Sequence, residues 1–183
     1  MKFSLDRFIQ DCREALAESD SQAAVRQVVK RAVTSPGEVI RELGEPELAG
    51  LETLYHADDL TILNIVWAPD MTLHPHNHNM WANIGIYGGL EQNTFYQRGS
   101  DGLMQKGEKL LEQKDVASLH KDVIHSVHNP CSKLTTAIHV YGGDFFATPR
   151  SEWPLETLEE QPFDIEHTRA VFNAANKKIL AAD

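Results

Sequence analysis

Cysteine is nearly missing from this chain. Only Cys12 and Cys131 are present, far apart in sequence, which argues against a disulfide framework. No run approaches the ~20 apolar residues that a membrane span requires. A basic block is also lacking. The net charge of −10 is spread along the chain, so nucleic acid and anionic membrane surfaces are poor partners. The stretch from Met1 to Arg7 becomes charged before any apolar run develops, so no signal peptide is predicted and the expected location is the cytosol. Repeats and low-complexity segments are absent as well. One local absence is sharper: between Arg41 and Arg98 there is neither lysine nor arginine.

What remains is a chain of 183 residues, one domain of ordinary size, long enough to bury a core. Residues 1–50 read as helical. Phe8, Ile9, Cys12 and Leu16 recur at helical spacing, and Ala24, Val25, Val28, Val29 and Ala32 form a second apolar stripe. Ser35-Pro36-Gly37-Glu38 predicts a third, short helix with serine as N-cap, proline first in the helix and Glu38 reaching back as capping-box partner. From about Leu51 the period changes. Strands are predicted over residues 60–67, 79–87, 90–97, 115–119, 124–127 and 134–141. They are separated by turn signals at Gly88-Gly89, Gly99-Ser100-Asp101-Gly102, Asn129-Pro130 and Gly142-Gly143. Past Pro149 and Pro154 a tail helix is predicted over residues 164–182. The expected architecture is a single mainly-β domain. It has a helical extension over 1–50, a jelly-roll barrel over 51–146 and a helical tail over 147–183.

Histidine is the chemically informative residue. Of nine, seven fall between His74 and His139. An H-x-H on one strand points both imidazoles to one face, because side chains alternate with period two. A third histidine from a partner strand completes three nitrogen ligands and leaves coordination positions open. His76-Asn77-His78 with His125 forms such a set. His74 shares the strand parity of His76 and His78 and so offers a second register. Gly88-Gly89, a turn at the right distance, favours the pair His76 and His78, which leaves His74 nearer the barrel mouth. His128 has the parity opposite to His125, so it faces the outer sheet or reaches the site through a bulge. His139 and Tyr141 alternate onto one face, so a hydrogen-bonded pair beside the metal is expected.

The segment His76-x-His78 followed by Gly89, then His125-x3-Asn129, resembles the two cupin motifs. The run from His76 through Trp81, Gly85 and Gly89 to Glu91 is similar to the first motif of cysteine dioxygenase-like thiol dioxygenases. Ala137-Ile138-His139-Val140-Tyr141 resembles that family's Ser-x-His-x-Tyr. The resemblance covers about Leu51 to Phe146. It implies a cupin barrel (a double-stranded β-helix) holding one Fe(II) on His76, His78 and His125; Zn, Ni or Mn are the other divalent metals such a site accepts. In the general cupin pattern a glutamate follows H-x-H; here Ala82 and Asn83 stand there, which implies an all-histidine site. The implied reaction is oxidation of a small thiol by O2 to a sulfinic acid, with Tyr141 donating to the oxygen or sulfur group and His139 fixing its hydroxyl. Other readings are a non-thiol cupin metalloenzyme, either a carbon–carbon bond-cleaving dioxygenase or an isomerase, and a metal-dependent binding module.

Three positions depart from that family. Asn83 replaces the cysteine that crosslinks to tyrosine in animal members, Ala137 replaces the triad serine, and the arginine that clamps a substrate carboxylate before H-x-H is missing. A carboxylate in a barrel needs a cation. Arg98, at a strand end, is the first alternative, with His56 and Arg150 behind it. Trp81 and Asn83 complete the expected substrate-contacting set. Edge strands and an apolar helix face leave a homodimer open.

Overall fold

The computed structural model describes residues 2–100 and 102–181; Asp101 of the predicted turn and Ala182 of the predicted tail helix lie outside them. Three helices come first: α1 (Leu5–Ala15), α2 (Ser21–Val33) and α3 (Pro36–Leu43). The Asp20 side chain caps α2 by accepting from the backbone N–H of Ala23 at 3.0 Å. Ser35 is the N-cap of α3 and Pro36 opens it, but the expected capping box does not form: the Ser35 side chain makes no cap bond, and Glu38 instead pairs with Arg41 one turn on.

Among the described residues eleven strands follow. Those that build the barrel are β1 (Gly50–His56), β2 (Thr61–Trp67), β3 (Thr72–Asn77), β4 (Ala82–Gly88), β5 (Leu90–Gly99), β6 (Gly102–Glu112), β7 (Val116–Leu119), β8 (Ile124–His128) and β9 (Thr135–Tyr141). Two short strands, β10 (Ser151–Glu152) and β11 (Gln161–Pro162), precede the tail helix α4 (Ile165–Leu180). One sheet runs β1-β2-β9-β4-β7 and the other β11-β10-β3-β8-β5-β6, with antiparallel pairing throughout. Predicted strands and observed ones differ most at β1, β3 and β6. β6 escaped notice because it is a largely exposed edge strand with little apolar alternation. The predicted start at Asn79 is instead a turn residue with φ +55°, and β4 begins at Ala82.

The sheet β1-β2-β9-β4-β7 has an apolar layer on each face. Ala82, Ile84 and Ile86 of β4 point into the barrel with Leu63, Ile65 and Trp67 of β2. On the other face Tyr87, Ile62, Ile138 and Val140 pack with Val25, Val28, Val29 and Val33 of α2. Gly85 sits at the closest approach, where a Cβ would stand 2.5 Å from Val29 Cγ1. Gly89, at φ +74°, makes the β4–β5 turn against Thr135, as the Gly88-Gly89 signal predicted. At the other end α4 caps the barrel, its Asp164 side chain accepting from the N–H of Glu166 at 2.9 Å. Phe172 from α4 stacks on Trp67 with centroids 5.3 Å apart. Among the described residues no helix is long and apolar enough to cross a membrane.

Candidate metal centre

His76 and His125 are cross-strand partners on β3 and β8, and His78 follows β3. The three rings are buried, and one ligand nitrogen from each lies within 4.8 Å of the other two. His125 Nε2 and His78 Nε2 stand 3.4 Å apart. Two ligands on bonds of about 2.1 Å would be separated by roughly 3.4 Å in a tetrahedral metal site. Outward contacts set the orientation. His125 Nδ1 donates to Asn93 Oδ1 at 2.7 Å and His76 Nδ1 donates to the His74 carbonyl at 3.0 Å, which leaves Nε2 of each as the free donor atom. His78 Nδ1 is buried without a hydrogen-bond partner among the described residues. Burial, with His125 as neighbour, holds His76 and His78 well below the usual imidazole range, and burial with nearby His139 pushes His125 down to about 3. The rings are therefore neutral, as metal ligation requires. No side-chain carboxylate joins this group among the described residues. The donor set suits a divalent transition ion.

The expected equivalence of His74, His76 and His78 fails at a bulge. Leu73 pairs with Val127, yet His76 pairs with His125, so β3 carries one extra residue between them. Pro75, which has no N–H to give to a ladder, lies within that irregularity. His74 loses the alternation, and its buried ring meets Glu152 instead of the triad.

Behind His125 runs a buried polar chain. Asn93 Nδ2 donates to Glu91 Oε1 at 2.9 Å, and Trp67 Nε1 donates to Glu91 Oε2 at 2.8 Å. His139 Nε2 comes within 3.5 Å of the same oxygen, an ion-pair distance longer than a good hydrogen bond. On its other side His139 Nδ1 accepts from the Tyr141 hydroxyl at 3.1 Å, the pair that alternation on β9 predicted. Burial raises the Glu91 pKa, but these donors outweigh it and hold the carboxylate below its usual range. Burial pushes the Tyr141 hydroxyl up, so it keeps its proton. Glu91 is the site residue that sequence reasoning missed. Its signal was a charge at the inward parity of β5, shared with Asn93 and Phe95.

The other expected contacts lie elsewhere. Asn83 falls between the inward Ala82 and Ile84 and so faces the helical layer. It donates to the Gln22 carbonyl at 2.9 Å and accepts from Ser118 Oγ at 2.7 Å. Trp81 also packs on that layer, against Gly142. Neither lines the triad pocket: Asn83 lies on the outer face of the sheet, and Trp81, just before β4, packs on the same side. Arg98 is half exposed at the end of β5, bound to Glu160 through Nε at 2.8 Å and NH2 at 2.6 Å, and lies over the Trp153 ring. His56 pairs at the surface with Asp144 at 2.9 Å, and His128 bonds to Thr72 at 3.0 Å away from the triad.

Arg150 is placed differently. It is buried, held between the rings of Phe145 and Phe163 with its guanidinium carbon 4.1 and 3.7 Å from their centroids. Both rings line the pocket over the triad. One nitrogen donates to the Phe145 carbonyl; Nε and the other terminal nitrogen have no hydrogen-bond partner among the described residues. Burial pulls its pKa down to about 10, so it remains charged at neutral pH. Its other walls include Trp67, Leu73, Thr168 and Phe172, while Arg150 itself touches the two rings without lining the space, which is only about 20 Å³, room for about one water.

No family model matches the chain. Solved structures of similar shape include an RmlC-like cupin with a double-stranded β-helix fold from Methanocaldococcus jannaschii. It is 14% identical over 56% of this chain and 87% of its own, with a TM-score of 0.48. A cupin superfamily protein from Desulfitobacterium hafniense is 14% identical over 55% of this chain and 83% of its own, with a TM-score of 0.45. An oxalate decarboxylase variant from Bacillus subtilis is 13% identical over 56% of this chain and 28% of its own, with a TM-score of 0.44. By its own strand order, two facing antiparallel sheets with β3, β8 and β5 adjacent in one of them, the chain has the cupin fold, a double-stranded β-helix, with a histidine triad able to hold a divalent metal inside it.

Proposed function

We propose that the protein is an iron-dependent dioxygenase that oxidises a small thiol bearing an anionic group to a sulfinic acid. The observation that carries this reading is the pairing of a neutral three-imidazole site with a buried guanidinium. Three uncharged ligands leave a divalent ion with its full charge, which favours an anionic thiolate over a neutral ligand. Fe(II) on His76, His78 and His125 would supply a Lewis-acidic, redox-active centre at which thiolate and O2 meet. The reaction balances as thiol plus O2 to sulfinic acid, with four electrons passing from sulfur to the two oxygen atoms.

The chain's own groups then have separable tasks. Arg150 offers two unpartnered nitrogens to the anionic end of the substrate, the task that the missing arginine before H-x-H leaves open. Phe145 and Phe163 hold that planar guanidinium in place through cation–π contacts with their rings. Tyr141, whose ring centroid lies 5.0 Å from that of His78, holds a proton at its hydroxyl, and His139 orients it. Trp67, Phe172 and Leu73 exclude water from the reacting groups.

The test is anaerobic reconstitution with Fe(II), then O2 uptake against thiols with and without a carboxylate. One O2 consumed per thiol, with sulfinate as product and a preference for carboxylated thiols, is the expected result. No uptake with any thiol from a fully iron-loaded protein would sink the reading.

A further inference from the structure

A second group of metal-ligating side chains converges where α4 begins. His74 from β3, Glu152 from β10 and His167 from α4 each bring one ligand atom to within 4.8 Å of the others. His74 Nε2 lies 3.1 Å from Glu152 Oε2, and His167 Nδ1 lies 2.8 Å from Glu152 Oε1. The two imidazoles stack, with centroids 4.7 Å apart and planes 20° from parallel. These are separations that a metal would impose on neighbouring ligands: roughly 3.0 Å in an octahedron and 3.4 Å in a tetrahedron for bonds of about 2.1 Å.

The carboxylate is the decisive group. Glu152 is 0% exposed, and among the described residues its ion-pair partners are the two imidazoles, with no lysine or arginine. A buried anion needs a cation or a full set of donors. Gln161 Nε2 donates to Oε1 at 2.8 Å and the Asp164 N–H reaches Oε2 at 3.3 Å. Each oxygen thus has one fixed donor besides its imidazole, and these would hold the carboxylate in place while both imidazoles turned their nitrogens to an ion. His167 is 37% exposed at its side chain, which leaves a path from solvent.

We infer that His74, Glu152 and His167 form a second divalent-cation site, separate from the triad, that takes a borderline-soft ion such as Zn²⁺ on two nitrogens and one oxygen with water filling the remaining position. Its role is structural. The three ligands come from β3, β10 and α4, so the ion fastens the start of α4 to the barrel, and α4 carries Thr168 and Phe172 over the triad. The hydrogen bond from His76 Nδ1 to the His74 carbonyl links the two sites through one stretch of backbone.

Titration of the metal-free full-length chain with Zn²⁺ by calorimetry, and with Co²⁺ by visible absorption, tests this. Wild type is expected to bind two equivalents, His167→Ala one, and His78→Ala one. In the His78→Ala background Zn²⁺ should still raise Tm, and that rise should vanish in the His78→Ala/His167→Ala double variant. Because the His78→Ala readout does not involve turnover, it stands whether or not the thiol chemistry is correct. A wild-type stoichiometry, whether one equivalent or two, that is unchanged in His167→Ala would overturn the site and leave the cluster as a hydrogen-bonded clasp alone.

Discussion

His74 and His76 are two residues apart on one strand, and the carbonyl of the first accepts a hydrogen bond from the ring of the second at 3.0 Å, yet their imidazoles serve different clusters. The bulge that contains Pro75 divides them. A strictly pleated β3 would have set both rings on one face and placed His74 in competition for the metal. The extra residue removes that competition and frees His74 to reach Glu152.

Glu91 organises the inner polar chain, so its charge is the first thing to change. Glu91→Gln keeps the volume but turns an amide NH2 toward Trp67, Asn93 or His139, all of which already present N–H groups. A donor left facing a donor in a dry interior costs about 1–3 kcal/mol, with Tm falling about 2–4 °C for each kcal/mol in a chain of this size. Because Asn93 also holds His125, metal affinity at the triad should drop about 10- to 100-fold. Metal titration of the variant checks this, and unchanged affinity would remove Glu91 from the support of the site.

The strands that carry the triad illustrate what the sequence made legible. His76, His78 and His125 stand out because alternation places them, and His139 with Tyr141 follows from the same rule on a regular, fully buried strand. Two things broke the rule. A bulge inside β3 altered parity at a position where only Pro75 signals irregularity, and Asn83 of β4, with Trp81 just before that strand, faces a helical layer that also takes polar and apolar partners. Arg150 was harder still. It lies beyond the last barrel strand, and its partners Phe145 and Phe163 are a dozen or more residues apart in a segment with almost no regular structure, so local pattern says nothing of their meeting. β6 and the capping box were misjudged for a simpler reason: solvent-exposed residues carry little pattern, and Glu38 has Arg41 as a rival partner.

The buried imidazoles also set how stability of the metal-free protein varies with pH. His125 is held neutral down to about 3 in the fold, whereas the unfolded chain takes up a proton near the ordinary value of 6.5. Its folded pKa is therefore depressed, and the unfolded state binds more protons between those limits. Stability must fall as pH falls through this window, by about 1.4 kcal/mol per pH unit from this one group. His76 and His78 shift in the same direction and add to the slope. Urea unfolding at pH 7 and pH 5 should differ by about 2 kcal/mol or more. Equal stability at the two pH values would mean that the triad protonates within the fold.

Phe172 closes the pocket from α4. It is 3% exposed and stacks on Trp67, and the free space beneath it, about 20 Å³, is too small for a thiol substrate. Entry therefore requires a wall to move, and Phe172 is the aromatic wall that α4 supplies. Phe172→Ala should destabilise the chain by about 3 kcal/mol or more while opening the mouth to solvent. Removal of bound metal by EDTA should then be faster than from wild type, and the time course of chelation measures it. An unaltered rate would show that the metal is reached by another route.

Arg150 is the sharpest test of substrate class. Its guanidinium has two nitrogens without partners, and a neutral amide in its place, as in Arg150→Gln, removes the charge while retaining hydrogen-bonding capacity. A hydrogen bond to a charged group contributes about 1.5–3 kcal/mol, which corresponds to about a 10- to 150-fold rise in KM. The rise should appear for thiols that carry a carboxylate and be absent for those that do not. Arg150→Lys should restore only part of the affinity, because an ammonium offers no planar face to Phe145 and Phe163 and no fork to a carboxylate. Equal losses for both kinds of thiol would assign Arg150 to packing against Phe145 and Phe163, and the anionic group would have to be dropped from the substrate.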